Sequence, residues 1–275
     1  MISINDHLWI WGHPVNSHFG YANFCPAIQE SHITPADAAA FLGVPNLLMV
    51  HYGDQPQPPF DDEAAAFQPL SRVVWSLLPA VHVPWSNLPK PTEEESTCLD
   101  AVLDMAKANE NVSGVVLDDF FGRGGQVAAL SITELEAIQA KLQLPDRKLD
   151  LWVVYYDRPS GKTPPEAELL PYLKHCDVIS YWTWNAADLE YLEENFEEVR
   201  RVADTCDCSV VLGCYMFDYG EKRPMPLDLM EKQCRLGREW LEQGRIDGMV
   251  FLASCICDIG LEAVEWTKNW IAANA

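Results

Sequence analysis

The amino-acid sequence predicts an α/β fold, a closed (β/α)8 barrel formed by residues 1–275 as a single domain. Three observations carry this. Eight short apolar runs alternate with helical segments to the end of the chain. The runs are apolar throughout, as parallel strands covered on both faces are, without the alternation of a half-exposed sheet. The joints from helix to strand are short, whereas those from strand to helix are long, and long ordered loops usually carry function.

The strands are expected at 7–12, 46–52, 72–78, 113–120, 149–156, 177–183, 209–215 and 247–253. Thr34-Pro35 opens the first helix, with a hydroxyl cap and a proline at the first helical position, and Gly43 closes it. A helix near 61–68 has the weakest pattern. Ser131-Ile132-Thr133-Glu134 spells a capping box. Asn185 precedes a long helix with Leu189, Leu192 and Val199 on one side. Two more helices are expected at 228–241, closed by Gly244, and at 260–271. The competing fold is a doubly wound open sheet. It would put a glycine-rich phosphate turn after the first strand, where Trp11-Gly12-His13-Pro14 stands instead.

Composition narrows the partners. The chain has 275 residues, 48% of them apolar, enough for a large core. Its formal net charge is -22, from 41 acidic and 19 basic residues, and such a surface repels phosphate backbones and anionic lipid. The basic clusters Arg200-Arg201 and Lys222-Arg223 are too short to offset it. Neither a nucleic-acid nor a membrane partner is therefore expected; the expected partner is a small-molecule or oligosaccharide substrate, and the oligomeric state is left open. Nine cysteines cannot all pair within one chain, and reduced, buried thiols point to a cytoplasmic protein, as does the start, which lacks a basic and apolar leader. A secreted, processed form is the alternative.

In a barrel the chemistry gathers at the C-terminal ends of the strands. Asp118-Asp119 is the sharpest signal there, because two adjacent carboxylates after Gly114-Val115-Val116-Leu117 are costly unless paired, hydrated or functional. Strand alternation lets one of the two aim along the axis; Asp118 is slightly favoured. The competing use of the pair is to cap the next helix. Asp218, ending the seventh strand, is the expected second carboxyl, with a loop ion pair to Lys222 or Arg223 as its other use. Trp11, His13, His51, Tyr155, Tyr156, Trp182, Trp184, Tyr215 and Asp258 are the expected substrate-binding groups, since flat rings with polar edges suit sugars. No cofactor is predicted. A metal set drawn from His13, His18, His51 and His82 with Asp118 or Asp258 gives the alternative, a metal-assisted isomerase or lyase on the same barrel using His13, His51 and an aspartate; a barrel that binds sugar without turnover is the other. Cys255 and Cys257 read as buried thiols. Lys174 and Lys232 lie on helices, which argues against imine chemistry.

The segments Gly114-Val-Val-Leu-Asp-Asp-Phe-Phe, Ser180-Tyr-Trp-Thr-Trp and Cys214-Tyr-Met-Phe-Asp-Tyr resemble the strand ends of TIM-barrel glycoside hydrolases. The resemblance is to the superfamily and spans most of the chain as architecture. It implies carbohydrate hydrolysis with an acid on the fourth strand, carried by Asp118 or Asp119. Many such enzymes use Glu on the fourth and seventh strands; this chain has Asp at both.

Overall fold

The computed structural model describes residues 4–19, 28–53, 55–80, 97–122, 126–157 and 160–274. Eight parallel strands close a barrel. They are β1 (Leu8–Gly12), β2 (Asn46–Tyr52), β3 (Arg72–Ala80), β4 (Val112–Leu117), β5 (Asp150–Tyr156), β6 (Val178–Trp182), β7 (Ser209–Tyr215) and, last in the ring, β10 (Gly248–Leu252). β8 (Phe217–Asp218) and β9 (Arg223–Pro224) form a separate small hairpin after β7. The helices are α1 (Pro35–Leu42), α2 (Asp61–Ala66), α3 (Thr97–Ala108), α4 (Ile132–Lys141), α5 (Glu166–Leu173), α6 (Leu192–Cys206), α7 (Leu227–Glu242) and α8 (Glu262–Asn274).

The caps form as their residues dictate. Thr34 accepts from the Asp37 N–H, and Gly43 ends α1 in the left-handed region at φ 75°. Ser131 and Glu134 complete both halves of the capping box. Two expectations are corrected, the helix start at Asn185 and the end of β4. The stretch after Asn185 is a 3-10 turn over Ala186–Tyr191 before α6 begins, and Asn185 does not cap it. α5 has no sequence start signal, its entry being Pro165 without a side-chain cap, and it carries Pro171 inside. β4 stops at Leu117, three residues earlier than expected, because Asp118 and Asp119 leave the ladder.

The interior is filled by large rings facing glycines. Trp9 of β1 meets Trp152 of β5 across the barrel, edge to face, with ring centroids 5.1 Å apart. A Cβ on Gly114 would lie 3.3 Å from Trp152 Nε1, and one on Gly248 would lie 3.1 Å from Trp9 Nε1. At both positions the nearest clash is a backbone carbonyl, that of Asp150 at 2.7 Å and that of His7 at 2.8 Å, so the glycines serve close strand approach as well as the indoles. One layer up, Trp11 packs on Trp182 at 5.2 Å, and a Cβ on Gly213 would fall 2.1 Å from the Trp182 ring. Alternation then fixes what continues upward: His13 above Trp11, Asp118 above Val116, Tyr156 above Val154, Trp184 above Trp182 and Tyr215 above Gly213. The described cysteines form no disulfide with one another and are all buried. Among the described residues no helix is long and apolar enough to cross a membrane.

Candidate active site

The turn after β4 is held by its own two phenylalanines. Phe120 and Phe121 pack on each other at 4.9 Å and on Tyr172 of α5 at 6.1 and 6.4 Å. Asp118, which is buried, shares the inward phase of Gly114 and Val116. Asp119 takes a left-handed backbone at φ 48°, a conformation Asp tolerates better than most residues. That turn breaks strand alternation, so both carboxylates act on one set of neighbours, Tyr156, Tyr215 and Lys162.

Tyr156 donates its hydroxyl to Asp119 Oδ1 at 3.1 Å, and its phenol and that of Tyr215 feel each other's charge. Burial, chiefly, and then the aspartates push both phenols well above their ordinary range, so they stay protonated and serve as donors. The strand end under Tyr215 is clamped from outside the barrel: Gln233 of α7 accepts the Tyr215 N–H at 3.1 Å and donates to its carbonyl at 3.4 Å. Trp184 stands edge-on to Tyr156 at 5.8 Å and to Tyr215 at 6.0 Å, and Trp182 lies 4.9 Å from Tyr215. Ser180 accepts the Trp182 indole N–H at 2.8 Å and so orients that ring.

Lys162 completes the group, and sequence reading missed it. Its ammonium lies 3.0 Å from the Trp184 ring centroid and 4.3 Å from that of Tyr156. The loop is folded to put it there: the Lys162 N–H donates to Ser160 Oγ, Ser160 Oγ donates to the Asp157 carbonyl, and Thr163 Oγ1 donates to the Tyr156 carbonyl. Desolvation lowers the Lys162 pKa to about 8, against the pull of Asp119, Asp118 and Asp157. Lys162 stands in the loop after β5, beyond the strand end, where the sequence marks no candidate lysine. Asp157, behind this group, accepts the Trp184 N–H at 3.3 Å, and burial pushes its carboxyl up to about 6.

Other expected residues sit elsewhere. Tyr155 faces the outer layer, with its ring 6.4 Å from Tyr181, which in turn packs on Phe196 of α6. It alternates away from the mouth, so its assignment to substrate binding is corrected. Asp218 is fully buried and tied to its own loop, accepting from Arg223 Nε at 3.1 Å, Glu221 N–H at 3.1 Å and Ala186 N–H at 3.3 Å. It pins the β8–β9 hairpin to the start of the 3-10 turn. Asp258 accepts from Ser31 Oγ and from the N–H groups of His32 and Ile33. Partial burial opposes its charge, yet these bonds hold its pKa below the usual value. It tethers the loop before α1. Trp11 is in the barrel core, under the mouth.

His13 forms a second cluster on the β1 side, with His18 at 4.4 Å and Tyr52 at 4.8 Å between ring centroids. The ring that β2 contributes here is Tyr52; His51 precedes it, half-buried, on the alternate side of the strand. The Tyr219 hydroxyl meets His18 Nδ1 at 3.1 Å, and Cys255 lies beside both histidines. His82, named with the histidines from sequence, lies outside the described residues.

A closed (β/α)8 barrel with ionisable groups converging on its C-terminal mouth has the layout of barrel enzymes. No protein-family model matches the chain, and no curated protein matches it. Solved structures do. A protein provisionally assigned as an alpha-L-fucosidase from Bacteroides thetaiotaomicron superposes with a TM-score of 0.64 at 10% identity, covering 100% of this chain and 95% of the other. The GH113 beta-mannanase of Alicyclobacillus acidocaldarius gives 0.55 at 8% identity, covering 99% and 98%. A mutant tryptophan synthase alpha-subunit of Pyrococcus furiosus gives 0.52 at 11% identity, covering 100% and 98%. These likenesses establish the barrel and nothing finer.

Proposed function

We propose that the chain is a carbohydrate-active hydrolase that cleaves a glycosidic bond at the mouth of the barrel, with Asp118 and Asp119 as its carboxyl groups. The observation that carries this is the electrostatic convergence of the two aspartates on Tyr156, Tyr215 and Lys162, with the Tyr156 hydroxyl on Asp119. Glycoside cleavage needs one group to protonate the leaving oxygen and a carboxylate to stabilise the cationic sugar or activate water. Asp119 takes the second role, because the hydrogen bond from Tyr156 favours its charged form. Asp118, in the inward phase of β4, exchanges the proton, and Lys162 supplies a second proton site near pH 8. Trp184, half-buried, offers the sugar ring the face that Lys162 does not cover. Asp218 is given to the loop, so both carboxyls come from one turn, unlike the two-strand pair of many TIM-barrel glycosidases. The fucosidase and mannanase among the fold neighbours accord with this reading at the level of the scaffold.

The test is turnover of an aryl-glycoside panel by wild type, Asp118→Asn and Asp119→Asn. Each variant is expected to lose about 10²-fold or more in kcat/KM while keeping its circular dichroism. Hydrolysis that survives in both variants, or no hydrolysis of any glycoside by wild type, would sink the proposal.

A further inference from the structure

His13, His18 and Cys255 come from three separate stretches and meet on the β1–β10 side of the mouth. One ligand atom from each lies within 4.8 Å of the others, and all three residues are buried. A tetrahedral zinc site with bonds of about 2.0–2.3 Å needs donors roughly 3.3–3.8 Å apart, so small side-chain shifts close the gap. We propose that these three residues bind one divalent ion of the zinc class, leaving a fourth position for water or substrate. The two-nitrogen, one-thiolate set is that of a borderline-soft cation and is poorly suited to magnesium or calcium.

The backbone is arranged to keep the set together. β1 pairs with β10 through Trp11 and Leu252, which brings His13 beside Ser254 two residues on. Ser254 Oγ accepts the His13 N–H at 2.8 Å and donates to its carbonyl at 3.3 Å, locking the two strand ends and placing the next residue, Cys255, against the imidazole. His18 arrives by a tight turn. Phe19 N–H donates to the Asn16 carbonyl, Asn16 adopts φ 61°, and its side chain accepts the Ser31 N–H. His18 is the buried residue of that turn; Val15 and Phe19 on either side are 44% and 46% exposed. A loop that exposes a valine and a phenylalanine while burying a histidine has been folded for the histidine. With Nδ1 engaged by the Tyr219 hydroxyl, the metal bond of His18 falls to Nε2, and Tyr219 fixes that orientation as outer partners of metal-bound histidines do.

Binding is balanced in charge and protons: the aquated divalent ion loses water, the Cys255 thiol loses its proton to solvent, and a sulfur–metal bond forms. The net charge of ion plus thiolate is one positive unit, placed across the mouth from Asp118 and Asp119. The inference does not depend on the hydrolase reading, and its readouts are metal content and spectra rather than turnover.

The experiment uses the full chain, stripped with chelator and titrated with Co2+. One ion per chain is expected, with the intense visible bands of a tetrahedral site and a thiolate-to-cobalt charge-transfer band, displaced by Zn2+. Cys255→Ser should lose the charge-transfer band, the neighbouring Cys257→Ser should keep it, and Tyr219→Phe should weaken Co2+ binding by about 10- to 100-fold. X-ray absorption on zinc-loaded wild type needs no variant and should find one sulfur, at about 2.3 Å, among nitrogen and oxygen neighbours. Failure to retain Co2+ or Zn2+ above trace, a first shell without sulfur, or a charge-transfer band that persists in Cys255→Ser would overturn the assignment.

Discussion

At Lys162 two effects of opposite sign are both large. Removing the ammonium from water disfavours its charge, while Asp119, Asp118 and Asp157 favour it; desolvation wins, and the pKa falls from 10.5 to about 8. The sign for folding follows. A lysine with a lowered native pKa contributes stability that is complete above its unfolded value, near 10.5, and is lost as pH falls through about 8. Because Asp119 is the strongest of the favourable neighbours, Asp119→Asn should move the Lys162 pKa below about 8, read by NMR of the lysine side-chain amine. A pKa that stays put or rises in the variant would show that the carboxylate and the ammonium are not electrostatically joined. Little of this was legible in the sequence. Asp118-Asp119 announced itself as two charges beside an apolar strand, but Lys162 is six residues past Tyr156 in a loop with no period, and nothing local marks where a loop folds back. Tyr155 and Tyr156 were equal in the sequence; only the strand phase set by Trp152 separates the one in the mouth from the one under the helices.

Elements were more legible than sites, because strands and helices are written in local patterns. The capping box at Ser131 and the Thr34-Pro35 start formed as expected, since each needs only residues three apart. What local pattern did not give was the reason for glycines inside strands, where glycine is usually unfavourable. Gly213 on β7 is explained by a neighbour on β6: its missing side chain is the space that Trp182 occupies. That ring is hemmed in by Trp11 and Tyr215 and held by Ser180, so it has nowhere to move. Gly213→Ala should therefore destabilise by about 1–3 kcal/mol, the usual cost of overpacking. At roughly 2–4 °C per kcal/mol for a chain of this size, Tm should drop by about 2–12 °C. Gly244→Ala offers a contrast, since its Cβ would meet nothing within 4 Å and its cost would come from the positive φ of 66° alone. A Gly213→Ala protein that melts with wild type in calorimetry would mean that the barrel interior is not packed as described.

For the molecule as a whole the dominant electrostatic fact is the net charge of -22. Local ion pairs do not cancel it. Those on the helix surfaces, such as Lys107–Asp104, Arg235–Glu239 and Arg238–Glu242, join largely exposed partners, and such pairs contribute about 0–1 kcal/mol each. The excess acidic charge acts over longer distances, as mutual repulsion that folding concentrates and unfolding relieves. Salt separates the two contributions. The screening length shortens from about 30 Å at about 0.01 M to about 10 Å at about 0.1 M, which removes repulsion across the barrel's surface before it weakens pairs in contact. Added monovalent salt should consequently raise the Tm at neutral pH, most steeply below about 0.1 M, with a plateau above it. The choice between sodium and potassium should make no difference, because the effect is one of ionic strength. A Tm that fell with salt over that range would mean that the contact pairs outweigh the long-range repulsion.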